Sequence, residues 1–168
     1  IVTRAEWGSR VTQTSNMALP VAYLFIHHTA GATCSSRDSC SAQMRSIQAY
    51  HMDTNGWADI GYNYLIGGDG AAYEGRGWPK VGAHTYGYNS VAVAISLMGN
   101  FETSSPSATM LRATQNLIDC AERQGVLTSS YRMFGHRDGG CTACPGQNLY
   151  NVIQGWPHFS FDDIPHYC

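Results

Sequence analysis

The chain has 168 residues, a formal net charge of −2, 43% hydrophobic side chains and only 13% charged ones. That is one domain's worth of sequence, long enough to bury a core. With Lys80 as the only lysine and no basic run, nucleic acid and anionic membrane surfaces are excluded as main partners, and no apolar run approaches the roughly 20 residues that span a bilayer. The opening stretch Ile1 to Trp7 already reads as folded sequence. The chain is therefore expected to be a mature or trimmed product, and the lack of a signal peptide says nothing about compartment.

Val21 to Ile26 is a continuous apolar run of strand length, rich in β-formers, and reads as a buried central strand that delivers His27 and His28 at its end. Successive strand side chains face opposite ways, so at most one of the two imidazoles points into a given site. Ser41 to Asn55 predicts a helix with Met44, Ile47, Tyr50 and His51 at near-helical spacing and Gly56 as its stop. Gly61 to Ile66 and Ala71 to Glu74 predict a β-hairpin around the glycine-rich turn 67–70, with Tyr62, Tyr64 and Ile66 on one face. Arg76 to Asn89 reads as an aromatic-rich loop.

Val91 to Leu97 alternates bulky with small residues, which predicts a second strand buried on both faces with its small side under a helix. Ser107 to Gln124 is the clearest helix, with Met110, Thr114, Leu117, Ile118 and Ala121 as its inner stripe. Arg132 to Phe134 predicts a short strand leading into His136, and Gln147 to Gln154 a last short helix. Strands and helices interleave, so the fold class is mixed α/β: one domain over residues 1–168, a central mixed β-sheet flanked by about three helices.

Chemistry concentrates in Gly135-His136-Arg137-Asp138-Gly139-Gly140-Cys141-Thr142-Ala143-Cys144-Pro145-Gly146. A loop of small residues can turn His136 and Cys144 onto one ion, and a catalytic zinc needs three protein ligands plus an open position. A second histidine is available at the end of the first strand. Three readings of this loop compete on spacing alone: a catalytic zinc, a structural zinc that also uses Cys141, and a Cys141–Cys144 disulfide or redox pair. Arg137 and Asp138 read as braces of the loop.

Elsewhere, Cys34 and Cys40 bracket a short polar loop with no histidine nearby, which predicts a disulfide and an oxidising compartment, hence secretion. Cys120 and Cys168 offer themselves as a second pair, since a tail ending in cysteine is explained by a staple. Cys141 then stands open: free, or paired with Cys144, Cys120 or Cys168.

Five ordered motifs carry a resemblance: Ile26-His27-His28-Thr29-Ala30, Asp59 to Gly67, Tyr73-Glu74-Gly75-Arg76-Gly77-Trp78, Gly82-Ala83-His84-Thr85 and Gly135-His136-Arg137-Asp138. Together they resemble the peptidoglycan recognition protein family, which shares its fold with phage-type amidases. The match runs from about residue 7 to 156, leaving 157–168 as a C-terminal tail. The resemblance implies a groove for a muropeptide of bacterial peptidoglycan and a role in innate defence, and it names no signalling partner. Some members only bind; others use zinc to hydrolyse the amide between N-acetylmuramic acid and L-alanine.

On the family pattern the zinc ligands fall on His27, His136 and Cys144, the tyrosine required by amidases on Tyr62, and the residue that assists at the oxyanion on Thr142. The thiol at Cys144 separates hydrolase from binding-only receptor, many of which carry serine there. His28 is expected to face away from the metal and pack behind it. The groove is expected near His51, Trp57, Trp78, His84, Tyr86 and Asn89, whose rings can stack on sugars and still hydrogen-bond. The expected activity is that of a secreted zinc-dependent amidase, with a non-catalytic peptidoglycan receptor or scavenger as the alternative.

Overall fold

A computed structural model describes all 168 residues. Its elements in chain order are α1 (Arg4–Trp7), β1 (Val21–His28), α2 (Arg37–Ala49), β2 (Tyr64–Ile66), β3 (Ala72–Glu74), β4 (Ala92–Leu97), α3 (Ala108–Arg123), β5 (Leu127–Gly135) and α4 (Gln147–Ile153). The strands form one five-stranded sheet in the order β3-β2-β4-β1-β5. β1 runs parallel to both β4 and β5, β2 is parallel to β4, and only the β2–β3 hairpin is antiparallel. The expected mixed α/β domain is observed, with four helices in place of about three; the extra one is the single turn α1.

The two faces of the sheet carry different cargo. Leu24 and Ile26 of β1 and Val93, Ile95 and Leu97 of β4 meet α3 and α4 in the main core. The buried residues of α3 are Met110, Thr114, Leu117, Ile118 and Ala121, the stripe its periodicity predicts. Ser107 caps that helix by accepting from the Met110 amide. On the opposite face, Trp7 of α1 and Cys40 and Met44 of α2 pack on Leu65, Tyr73 and Met98.

The bulky side of β4 joins the α3 core. On its small side Ala92 packs against Phe25 and Tyr88, Ala94 donates its amide to the Asn63 side chain at 2.8 Å, and Ser96 is in register with Leu65, which packs with Cys40 and Met44 of α2. The small side leaves room for rings and polar groups.

The hairpin is also shorter than the apolar pattern predicts. Asn63 is fully buried and spends its side chain on the carbonyls of Gly77 and Lys80 and the amide of Ala94. Strand pairing therefore begins only at Tyr64, and alternation fails across this residue. Tyr64 and Ile66 join the α3 core while Tyr62 packs on the other side, so the three do not share a face.

Two helix boundaries move for local reasons. α2 starts at Arg37 because Ser36 and Ser39 form a reciprocal capping box. It ends as regular α-helix at Ala49 and continues as a π-type turn over Tyr50–Thr54. β5 is nine residues long, since the polar run Thr128 to Ser130 lies in the strand even though its sequence carries no apolar signal.

The cysteines correct one expectation. Cys34–Cys40 is a disulfide, as predicted, but Cys168 bonds to Cys141, not to Cys120. The tail turns back along the sheet: the Met133 amide donates to the His158 carbonyl and the Met133 carbonyl accepts from the Ser160 amide, Tyr88 donates to the Pro165 carbonyl, and the Tyr167 amide donates to the Gly139 carbonyl. That path ends beside Cys141 in the loop after β5, whereas Cys120 lies in α3. Cys120 is a free thiol that accepts from the Gln124 amide group.

Candidate functional site

The site lies beyond the carboxyl ends of the parallel strands, where open α/β sheets leave a crevice for ligands. Ile26 of β1 is in register with Gly135 of β5, so the next residues, His27 and His136, emerge side by side. Their ring centroids are 4.4 Å apart. His136 opens a 3₁₀ turn held by Asp138, whose carboxylate accepts the Gly135 amide at 2.9 Å and the Tyr150 hydroxyl at 2.6 Å.

The return of the loop brings Cys144 in. Arg137 donates its amide to the Cys144 carbonyl and its guanidinium to the Ala143 carbonyl and Gln147. Arg137 and Asp138 thus brace the loop, as read from the sequence. Cys144 Sγ sits 3.6 Å from His27 Nδ1 and 3.7 Å from the His28 carbonyl oxygen. The ligand atoms of His27, His136 and Cys144 all lie within 4.8 Å of one another.

Electrostatics suit that donor set to a divalent cation. Burial, then the neighbouring His136, His84 and His28, hold the His27 pKa well below the usual imidazole value. Burial, followed by His28, brings His136 down to about 4. Both rings are neutral at pH 7, with lone pairs available. Burial pushes the Cys144 thiol up to about 12, so its anion forms there only with a cation beside it. Two neutral imidazoles and one thiol, with no carboxylate among them, form a borderline-soft set that fits zinc.

His28, on the opposite parity of β1, accepts the Phe101 amide through Nδ1 at 3.1 Å; it is buried but also borders the cleft, where the sequence had it packed behind the site. His27 turns its outer nitrogen to Thr85: Nε2 is 3.2 Å from the Thr85 hydroxyl, which is 2.8 Å from His84 Nδ1. Nothing in the sequence marks Thr85 beyond its place in the Gly82-Ala83-His84-Thr85 motif.

Tyr62 stands between two imidazoles, its ring 5.3 Å from His27 and 5.5 Å from His51. Burial, then the Cys144 sulfur, raises its pKa well above the ordinary phenol value, so it is a neutral O–H donor. Its loop is anchored by Asp59, a buried carboxylate that pairs with Arg4 at 2.9 Å and accepts from Gln48, Thr12 and the Ile60 amide. Gly61 lets this loop touch the next one, because a Cβ there would run into the Ala83 carbonyl oxygen. Thr142, exposed on the rim, accepts the Cys144 amide at 3.1 Å, which leaves its O–H free to donate outward.

An open cleft of about 450 Å³ surrounds these groups, with Trp57, Tyr62, His84, Thr142 and Cys144 in its wall. A smaller hollow of about 270 Å³ continues it past Thr29 and Tyr62 to His51 and Tyr50. Of the expected groove residues, Trp57, His84 and His51 therefore line this surface. Trp57 packs against His51 in a tilted pair with centroids 4.7 Å apart, and His51 Nδ1 accepts the Gly61 amide at 2.9 Å.

The other three are placed elsewhere. Trp78 is 6% exposed and packs on Tyr64 in the main core, 4.3 Å between centroids; a ring of its size goes to the apolar interior. Asn89 turns its side-chain oxygen to the amides of His84 and Thr85 and closes that loop. Tyr86 is exposed beside Tyr167, outside the cleft wall. Sequence reading missed Asn100 and Glu102, polar residues after β4 that the cleft reaches; no motif marks them.

Comparison with known proteins bears on the family and the fold. The family described as N-acetylmuramoyl-L-alanine amidase matches residues 17–147. Peptidoglycan-recognition protein SC2 of Drosophila simulans is 46% identical over 160 residues, covering 95% of this chain and 87% of that protein. A solved ectodomain complex of peptidoglycan recognition proteins LCa and LCx bound to tracheal cytotoxin superposes with a TM-score of 0.94 at 45% identity, over 96% of this chain and 98% of that one. Human PGRP-IBETAC, solved with glycosamyl muramyl pentapeptide, gives 0.93 at 47% identity over 95% and 97%. With nearly its whole length matched at this identity, and with the cleft where the fold puts it, the chain belongs to the peptidoglycan recognition protein family.

Proposed function

We propose that this protein is a zinc-dependent N-acetylmuramoyl-L-alanine amidase that binds bacterial peptidoglycan and cleaves the amide between N-acetylmuramic acid and L-alanine. The observation that carries the reading is the thiol of Cys144 against His27 Nδ1 with His136 beside them. Relatives solved with tracheal cytotoxin and with a glycosamyl muramyl pentapeptide support the ligand class. The two disulfides support an oxidising, extracellular setting, and no helix is long and apolar enough to cross a membrane.

His27, His136 and Cys144 would hold the ion, which when bound polarises a carbonyl and makes water a nucleophile near neutral pH. The rest falls to the chain. Tyr62, a neutral phenol beside His27, orients the attacking water or the amide and can pass a proton to the leaving nitrogen. Thr142 offers its free O–H to the carbonyl oxygen as negative charge develops there. A hydroxyl stabilises that charge less than a cation does, so turnover is expected to be modest. Trp57 and His51 give the glycan and stem peptide two adjoining rings with polar tips, inclined at 52°.

The deciding experiment measures release of stem peptide from insoluble peptidoglycan, with and without a chelator, alongside metal analysis. Chelator-sensitive release with zinc bound is the expected result. Tight pelleting with no release and no zinc would make the protein a receptor.

A further inference from the structure

A metal-binding imidazole must present one nitrogen without a proton and park the proton on the other. In His27 the nitrogen facing Cys144 is Nδ1, at 3.6 Å. Its proton therefore belongs on Nε2, and the only partner within reach there is Thr85 Oγ1 at 3.2 Å. A hydroxyl that accepts from His27 is free to donate, and its second neighbour is His84 Nδ1 at 2.8 Å. His84 must then carry its own proton on Nε2. That atom is buried with no hydrogen-bond partner, so the chain of bonds ends there. One consistent direction runs along the whole chain, from His27 through Thr85 to His84.

The geometry points to Thr85 as a positioning residue that fixes the tautomer and ring orientation of His27, with His84 as the end stop of the hydrogen-bond chain. This deepens the zinc reading of the site and rests on it. Groups next to a metal-binding imidazole commonly have this effect on affinity. The hydroxyl is free for the task because the loop is held without it. The Thr85 amide donates to Asn89 Oδ1 at 2.9 Å and its carbonyl accepts from the Tyr88 amide at 2.9 Å. Thr85 is fully buried, so no water competes for either bond. Three separate elements meet here: β1 supplies His27, the 82–89 loop supplies the pair, and the loop after β5 supplies the thiol.

The test uses three proteins: the parent, Thr85→Val, which keeps the shape and removes both bonds, and Thr85→Ser, which restores them. Zinc affinity is read by competition with a chromophoric chelator. The His27 tautomer is read from long-range proton–nitrogen NMR spectra of the metal-free protein. The parent is expected to show His27 protonated on Nε2, Thr85→Val to bind zinc about 10- to 100-fold more weakly, and Thr85→Ser to return toward the parent. A parent that binds no zinc overturns the reading of the site and this proposal with it. A parent that binds zinc while Thr85→Val binds as tightly overturns the proposal alone, as does a His27 found protonated on Nδ1. If Thr85→Val does not fold, the parent tautomer and the Thr85→Ser affinity still decide.

Discussion

His27 and His136 leave neighbouring parallel strands at the same height, their ring centroids 4.4 Å apart. The sheet register thus places two of the three donors, and only the third, Cys144, depends on how a loop closes. Cys144→Ser keeps the loop geometry, since the backbone bonds to Arg137 and Thr142 do not involve the sulfur. Without a thiolate the site should lose zinc and stem-peptide release should fall to background. Pelleting with insoluble peptidoglycan should stay within about threefold of the parent, because one sulfur becomes an oxygen while Trp57, Tyr62 and His84 in the cleft wall are unchanged. Retained hydrolysis in this variant would sink the amidase reading.

Tyr62→Phe separates chemistry from binding. The ring keeps its packing between His27 and His51, so metal content and pelleting should match the parent. Losing the O–H should lower the rate of release by about 10²- to 10⁴-fold, the usual range for a proton-handling side chain. A rate within a few-fold of the parent would assign Tyr62 to packing alone.

Much of this was legible in the sequence because the signals were local. The α3 stripe, the two buried strands and the small disulfide each follow from periodicity or spacing, and the resemblance in five motifs led to the donor trio. What was hidden depends on side chains reaching across the chain. Asn63 breaks the hairpin by bonding Gly77, Lys80 and Ala94, which no alternation of apolar residues announces. Cys168 finds Cys141 because the tail pairs with the Gly139–Gly140 segment, a matter of topology. Trp57 and Trp78 are indistinguishable as letters; one faces the cleft and the other fills the core.

That contrast gives a paired prediction. Trp78→Ala empties a buried ring from the α3 core and should cost about 3–5 kcal/mol of stability, read by denaturant unfolding. Trp57→Ala, at a 38% exposed position, should cost far less stability yet weaken muropeptide binding by about 10-fold, as loss of a stacking ring does. Calorimetric titration with a soluble muropeptide checks the second half. Unchanged binding would remove Trp57 from the groove.

The two remaining sulfur positions should behave oppositely. Cys141 and Cys168 close a loop with a sequence separation of 27, so Cys168→Ser should lower stability by about 3.5 kcal/mol on the chain-entropy estimate. It should also loosen the segment between His136 and Cys144. Cys120→Ser touches one weak bond from Gln124 and should leave unfolding midpoints unchanged. Thermal melts of both variants under non-reducing conditions settle it; a destabilised Cys120→Ser would mean its sulfur has a partner.

Acid should unfold the metal-free protein through its histidines. Burial brings His51 and His136 down to about 4 and His84 to about 3, and holds His27 well below its ordinary value. In the unfolded chain the same groups titrate near 6.5. A group whose folded pKa is depressed adds stability above its unfolded value and loses it as pH falls toward the folded one. Below about pH 6.5 the unfolded state therefore binds more protons, and stability should drop steadily toward pH 4. Zinc, which needs His27 and His136 unprotonated, should move the acid midpoint down when added in excess. Denaturant midpoints at half-unit pH steps, with and without zinc, test both statements. Flat stability from pH 7 to 4 would mean these rings are not buried neutral.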